Sequence, residues 1–170
     1  MAHENIFSED TLIVLDAFNY AKKGFSVFPL WGICSEGHCQ CPKGKECSSA
    51  GKHPIYQGGF KQATTNTKQI AIWWKEHPTA NIGVATGNGL VVIDIDDRNG
   101  GYITKSEFEQ AGHIIKSKFF VKTGNGEHHY FKTKESIACK TNLFKGIDRK
   151  GFRRWLRGAL PATRVRLRRR

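Results

Sequence analysis

The chain of 170 residues is 39% apolar and 25% charged, and its formal net charge is +12. This is the composition of a globular domain with an excess of basic residues. No apolar run reaches the roughly 20 residues that a membrane-spanning helix needs, and the N-terminus lacks the basic-then-apolar order of a signal peptide. We therefore expect a cytoplasmic protein without a membrane partner.

The first predicted element is an amphipathic helix over residues 8–23. Ser8 is a candidate N-cap, acidic residues follow it, and Gly24 fits the helix stop. The next segment, FSVFPL, is typical of a short strand that ends at Pro29.

A long loop rich in Gly, Cys, Lys and Ser follows, up to about residue 60. Four of the five cysteines lie here, and an odd cysteine count in a reducing compartment favours a metal site over disulfides. A structural zinc site is therefore predicted, and a mobile loop of reduced thiols is the alternative. The preferred ligands are Cys39, Cys41, Cys47 and His53, and Cys34 or His38 could replace one of them.

Residues 65–78, TNTKQIAIWWKEHP, predict a helix that Thr or Asn caps and that stops before Pro78. Ile70, Trp73 and Trp74 follow helical spacing, so the two indoles are predicted to pack in the core rather than to stack on bases. A Gly-rich turn over residues 81–89 comes next. Its glycines either allow the backbone to turn or let the backbone approach a nucleotide closely.

The strand LVVIDID carries the most informative pattern in the chain. Side chains alternate along a strand, so Asp94 and Asp96 share one face at a spacing of ~6–7 Å. A divalent cation removes the repulsion between such carboxylates, and oxygen ligands suit Mg²⁺ or Mn²⁺. The alternative is a strand with a solvated acidic face.

The segment SEFEQAG predicts a short helix that Ser106 caps and Gly112 ends. Two alternating runs around residues 124–126, GNG, predict a β-hairpin. His128, beside that turn, could reach a phosphate oxygen or position a metal-bound water, and an exposed turn histidine is the alternative. Asp148 is a third acidic candidate that a turn or a helix cap would also explain. Cys139 is assigned to packing.

Together these segments resemble a family. The motifs W-W-x3-P-x-A-N-I-G-x-A-T-G, L-V-V-I-D-I-D, G-x-H-x-Y-F and G-I-D are similar to the N-terminal domain of bifunctional DNA primase-polymerases of the archaeo-eukaryotic primase superfamily. G-K-H-P at 51–54 and G-F-K-x-A-T at 59–64 also resemble it, and the likeness covers residues 12–150. It implies an α+β fold with an RRM-like antiparallel or mixed sheet and an N-terminal α/β module, in one catalytic domain over residues 1–150.

The resemblance also implies residue roles. Asp94 and Asp96 would bind Mg²⁺ or Mn²⁺, Asp148 would be the third carboxylate, and His128 would contact the nucleotide phosphates. Further nucleotide contacts would come from Lys52, Asn81, Gly83 and Gly87. The implied reaction is template-directed nucleotidyl transfer in the replication of a plasmid, phage or similar element. Its partners would be a DNA template or primer, nucleoside triphosphates and a helicase.

The chain departs from the family pattern after Asp148. Residues 149–170 hold ten Lys or Arg and no acidic residue, so 151–170 are predicted to be a basic, disordered tail. Permitted codons for residues 153–160, read one base later, can encode a family-like strand, which suggests a truncated or frame-shifted chain that is unstable or poorly active. Alternative functions are a non-catalytic zinc-containing nucleic-acid-binding module, an inactive fragment of such an enzyme, and a metal-dependent nuclease.

Overall fold

The computed structural model describes the backbone of residues 9–151 and the side chains from residue 13 onwards. In this range the fold is α+β, as predicted, with two antiparallel sheets. The described chain divides into two compact units, and the division falls between Ala85 and Thr86 in the sequence. The candidate cap Ser8 and the tail beyond residue 151 lie outside the described residues. The division into a catalytic domain over 1–150 and a tail stays a prediction.

The first unit contains the first two predicted helices and a two-stranded sheet. Its elements in chain order are α1 (Glu9–Lys22), β1 (Val27–Leu30), α2 (Thr67–Glu76) and β2 (Asn81–Val84). Asn66 caps α2, because its side chain accepts hydrogen bonds from the backbone of Lys68 and Gln69. None of the helices in the described part of the chain is both long and apolar enough to cross a membrane.

The core of the first unit confirms the packing role of the two tryptophans of α2. Trp73 and Trp74 are buried, and the indole of Trp74 donates to the carbonyl of Ala80 at 3.1 Å. The prediction that Pro29 ends its strand was wrong, because Pro29 pairs with Ile82 inside the sheet. The Pro29 carbonyl accepts a hydrogen bond from the Ile55 N–H, on the side of β1 away from β2. The N–H that proline lacks would point to that same side, so its absence removes no hydrogen bond between β1 and β2.

The second unit is a five-stranded antiparallel sheet with one helix. Its strands are β3 (Leu90–Asp96), β4 (Phe119–Thr123), β5 (Gly126–Lys132), β6 (Lys140–Phe144) and β7 (Ile147–Lys150), in the spatial order β4-β5-β3-β7-β6. The predicted hairpin is confirmed as β4 and β5, which pair from Thr123 and Gly126 outward. The strand β3 lies at the centre, between β5 and β7.

Helix α3 (Gly101–Gln110) lies against the face of the sheet that carries Ile95. The helix begins five residues before Ser106, so the prediction that Ser106 caps it was wrong. The backbone turns at Gly100, whose φ is +82°, and Gly101 then approaches Ile95 and the Gly146 carbonyl too closely for any side chain. Since α3 covers this face, Asp94 projects from the opposite one.

Candidate active site

Three of the predicted catalytic residues form one row across the sheet of the second unit. Asp94 on β3 is in register with His128 on β5 and with Asp148 on β7. Directly opposed residues of antiparallel strands place their side chains on the same face, about 5 Å apart. The row therefore joins residues that are up to 54 positions apart in the sequence. Because the sequence analysis predicts a catalytic role for all three, we call Asp148, Asp94 and His128 the catalytic row.

The imidazole of His128 lies directly against the Asp94 carboxylate. Its Nε2 is 3.3 Å from Asp94 Oδ1, and the histidine is only 4% exposed. Its other nitrogen, Nδ1, is buried and has no hydrogen-bond partner among the residues that the structure describes. An unsatisfied buried polar atom costs about 1–3 kcal/mol. This nitrogen is therefore suited to a ligand that supplies the missing partner.

Lys150 joins the two carboxylates of the row. Its ammonium pairs closely with Asp148 and lies 3.6 Å from Asp94 Oδ2. The other oxygen of Asp148 accepts from the backbone N–H of Asn142 at 2.7 Å. Burial raises the pKa of the Asp94 carboxyl, but the hydrogen bond and charge of His128 and the charge of Lys150 outweigh it and hold the pKa below its usual value. Asp94 is thus kept ionised, as a metal ligand must be.

Asp96 lies one pleat further along β3, and other partners hold it. Its two oxygens accept hydrogen bonds from Arg98 and Asn99, in the short 3₁₀ turn Asp97–Asn99. The bond from the Arg98 side chain is the main cause that keeps the pKa of Asp96 low. The residue opposite Asp96 on β5 is Gly126, which has no side chain. The space beside Asp96 is therefore not filled from that strand.

A comparison with known families identifies the family of the chain. The family described as bifunctional DNA primase/polymerase, N-terminal, matches residues 17–167. The chain belongs to this family. The match confirms the resemblance, and it extends past residue 150, where the sequence analysis placed the end of the likeness. A comparison with curated proteins finds no match.

Members of this primase/polymerase family are nucleotidyltransferases that act on DNA and nucleotides, and they generally use divalent metals. The residue roles, the helicase partner and the metal of this particular domain stay predictions.

Of the other predicted nucleotide contacts of the primase/polymerase domain, Lys52, Asn81 and Gly83 belong to the first unit and Gly87 to the second. Lys52 is an exposed residue of the first unit, beside His53. Asn81 belongs to that unit as well, and its side-chain amide donates to the carbonyl of Gly51 at 3.1 Å. Gly83 packs against the Phe28 ring, which a Cβ would approach to 2.6 Å. Packing therefore explains Gly83 without a ligand.

Gly87 belongs to the second unit, where it closes a tight turn into β3. Gly87 and Leu90 exchange backbone hydrogen bonds of 2.8 and 3.0 Å. The two residues between them, Asn88 and Gly89, have φ values of +49° and +87°. Asn-Gly with both φ angles positive is the preferred sequence of a type I′ turn. Turn geometry therefore explains this part of the Gly-rich segment.

A second cluster of ligand-type side chains lies in the first unit of the primase/polymerase domain. The ligand atoms of Cys39, Cys41, Cys47 and His53 all lie within 4.8 Å of one another. His53 Nε2 is 3.4 Å from the sulfur of Cys39 and 3.3 Å from that of Cys47. This Cys₃His group can hold a metal ion, and it is the set that the sequence analysis preferred. Neither Cys34 nor His38 belongs to it.

The sequence analysis missed two basic residues of the site, Lys150 and Arg98. It treated the segment around Asp148 as a turn or a cap, whereas the structure has a strand there. If the segment IDRK had been predicted as a strand, the alternation of side chains would have placed Lys150 on the same face as Asp148. Arg98 follows Asp96 by two residues. The sequence signal for their contact was an acidic residue at the start of a tight turn, since such a side chain often bonds to the residue two positions later.

Proposed function

We propose that this domain catalyses template-directed nucleotidyl transfer, making or extending primers on DNA with nucleoside triphosphates. The observation that carries the proposal is the catalytic row, in which Asp148, Asp94 and His128 occupy neighbouring strands at one register position. Two carboxylates on one face, beside an imidazole, suit a triphosphate that arrives with divalent cations.

The donor set fits Mg²⁺ or Mn²⁺. Asp94 and Asp148 are carboxylates with side chains 25% and 24% exposed, so they are reachable by a ligand while their positions are fixed by the sheet. Hard oxygen donors are the ligands that these ions prefer. Asp94, Asp148 and Asp96 would hold the ions, which supply activation of the attacking hydroxyl and stabilisation of the leaving pyrophosphate when bound.

His128 would hold the triphosphate. Its Nε2 contacts Asp94, and its buried Nδ1 has no partner within the described residues. A phosphate oxygen at Nδ1 would supply the hydrogen-bond partner that this buried nitrogen lacks among the described residues. The backbone near Gly87, in the same unit as His128, would be a further contact, and nucleotide contacts by Lys52 and Asn81 stay predictions.

The test is primer extension by the isosteric variant Asp94→Asn. The variant keeps the shape of the side chain but removes its charge, so extension should fall more than about 100-fold while binding to DNA is retained. Asp97→Asn is the matched control, because Asp97 is exposed and lies outside the catalytic row. Extension is followed with primed and unprimed template, labelled nucleotides and Mn²⁺. Extension by Asp94→Asn at the wild-type rate would refute the site.

The same assay separates the alternatives. Template degradation in place of extension would indicate a metal-dependent nuclease that uses the same carboxylates. DNA binding with neither reaction would favour a non-catalytic nucleic-acid-binding module. The Cys₃His group supports this second candidate as well as the first, because a structural zinc site serves either one.

A further inference from the structure

Arg98 binds the Asp96 carboxylate as a bidentate partner. Its Nε lies 3.1 Å from Oδ1 and its Nη2 lies 2.8 Å from Oδ2. The backbone N–H of Arg98 also donates to Oδ1 at 3.1 Å, and Asn99 donates to Oδ2 at 3.2 Å. A forked guanidinium–carboxylate pair is among the stronger polar contacts in proteins. Both oxygens of Asp96 are therefore engaged by residues of the turn that follows it.

The two basic residues of the site differ in their freedom to move. Lys150 is part of strand β7, and its side chain is only 17% exposed. Arg98 lies in the short turn after β3, and its side chain is 61% exposed. Arg98 can therefore swing into solvent without breaking a strand or uncovering the core, whereas Lys150 is held by its neighbours.

A cation ligated by Asp96 needs the oxygens that Arg98 now occupies. A guanidinium on both oxygens and an ion on the same carboxylate repel each other and compete for the same lone pairs. Because the two Asp96 oxygens already accept four hydrogen bonds, three of them from Arg98, a divalent cation competes with Arg98 for this carboxylate. Metal binding at this position consequently includes the release of an arginine.

We propose that Arg98 is an internal counter-ion that holds Asp96 in the metal-free protein, leaves it when a divalent cation binds, and then contacts the triphosphate. This inference rests on the proposed nucleotidyl transfer. The released guanidinium remains tethered beside Asp96, and its planar fork matches phosphate oxygens as well as it matches a carboxylate. Arg98 thus exchanges one anionic partner for another as the site fills.

The proposal predicts opposite effects on metal and nucleotide. Without nucleotide, Arg98→Ala should bind Mn²⁺ about 10-fold more tightly than wild type, because the competing cation is gone. At saturating Mn²⁺ the same variant should have a KM for nucleoside triphosphate raised about 10-fold. Arg98→Lys keeps the charge but loses the fork, so both changes should be smaller. Mn²⁺ binding is measured by electron paramagnetic resonance of the free ion, and KM by primer extension.

Lys134→Ala is the control for the loss of one positive charge. Lys134 is exposed and follows the end of β5 that pairs with Leu90, at the opposite end of β3 from Asp96. Its Mn²⁺ affinity and KM should equal those of wild type. If Arg98→Ala binds Mn²⁺ no more tightly than wild type, or if its KM is unchanged, the proposal for Arg98 is wrong.

A Mn²⁺ titration of Asp94→Asn distinguishes failure of the Arg98 proposal from failure of the proposed function. If Asp94→Asn weakens Mn²⁺ binding while Arg98→Ala leaves it unchanged, the metal site stands and only the role of Arg98 is refuted. If Asp94→Asn binds Mn²⁺ as wild type does, the metal site itself is misassigned, and both proposals fall.

Discussion

Lys150 is the residue on which the charge balance of the catalytic row depends. In the structure its ammonium contacts both Asp94 and Asp148. It therefore screens two carboxylates that occupy opposed positions on neighbouring strands. Like charges in that arrangement destabilise a sheet.

The variant Lys150→Met should be less stable than wild type when no divalent ion is added, by about 1–3 kcal/mol, because it leaves the two carboxylates without their shared counter-ion. Saturating Mn²⁺ should reduce this loss, since the ion can replace the missing charge. Urea unfolding with and without Mn²⁺ measures both values. Lys140→Met, at an exposed position of β6, is the control. An equal loss of stability in both conditions would contradict a screening role for Lys150.

At the scale of elements, a charged network attaches helix α3 to the hairpin. Lys105 of α3 and His129 of β5 each contact Glu127 Oε2 at 2.8 Å, and Glu127 is 8% exposed. The Phe120 ring stacks on His129, with centroids 5.3 Å apart. Glu127 and His129 flank His128 in sequence but project from the opposite face. The network therefore fixes the strand that presents His128.

This network makes the stability of the second unit sensitive to acid. Burial raises the pKa of Glu127, but Lys105 and His129 outweigh it and hold the pKa below 4.5, its ordinary value. A carboxyl with a lowered folded pKa contributes stability above its unfolded pKa, and the contribution is lost as the pH falls through the folded value. Stability should therefore decline as the pH drops below 4.5.

The variant Glu127→Gln should be about 1–3 kcal/mol less stable than wild type at neutral pH, because it leaves Lys105 without its partner. Its further loss of stability on acidification should be smaller than that of wild type, since the titrating carboxyl is gone. Urea unfolding at a series of pH values gives both quantities. Glu135→Gln, in an exposed loop, should follow the wild-type curve. Parallel pH curves for Glu127→Gln and wild type would show that Glu127 does not carry the effect.

Elements with strong local signals were predictable from the sequence, and elements that depend on their neighbours were not. Helix α2 has a cap at Asn66 and an apolar stripe, and the β4–β5 hairpin has its Gly-Asn-Gly turn. Strand β6 is short and mostly exposed, and β7 alternates only weakly, so pairing with β3 defines β7 and pairing with β7 defines β6. The start of α3 was missed because Gly100 and Gly101 resemble a loop when their contacts with β3 are unknown.

At the scale of the whole molecule, each compact unit contains its own candidate metal group. The soft Cys₃His set belongs to the first unit, and the hard carboxylates of the catalytic row belong to the second. The two sets of donors favour different ions, Zn²⁺ for the first and Mg²⁺ or Mn²⁺ for the second. Loss of either ion should therefore leave the other site able to bind.

The variant Cys41→Ser should lose most of the zinc that wild type is expected to carry, about one ion per chain, and should unfold at a lower temperature, because zinc binding contributes folding energy. Its Mn²⁺ affinity should stay at the wild-type value. Elemental analysis and Mn²⁺ titration measure the two sites separately. Cys34→Ser is the control, since Cys34 lies in the same loop but outside the group. Loss of zinc from Cys34→Ser instead would mean that a different ligand set is used.

The family, the α+β class and the types of residue available for chemistry were predictable from the amino-acid order, because motifs, caps and alternation are local patterns. Which of these residues come together depends on how the strands pair. The register of β5 and β7 against β3 brings His128 and Asp148 to Asp94, and it adds Lys150. Pairing between strands distant in sequence depends on packing and hydrogen bonding over the whole sheet, which no local pattern encodes.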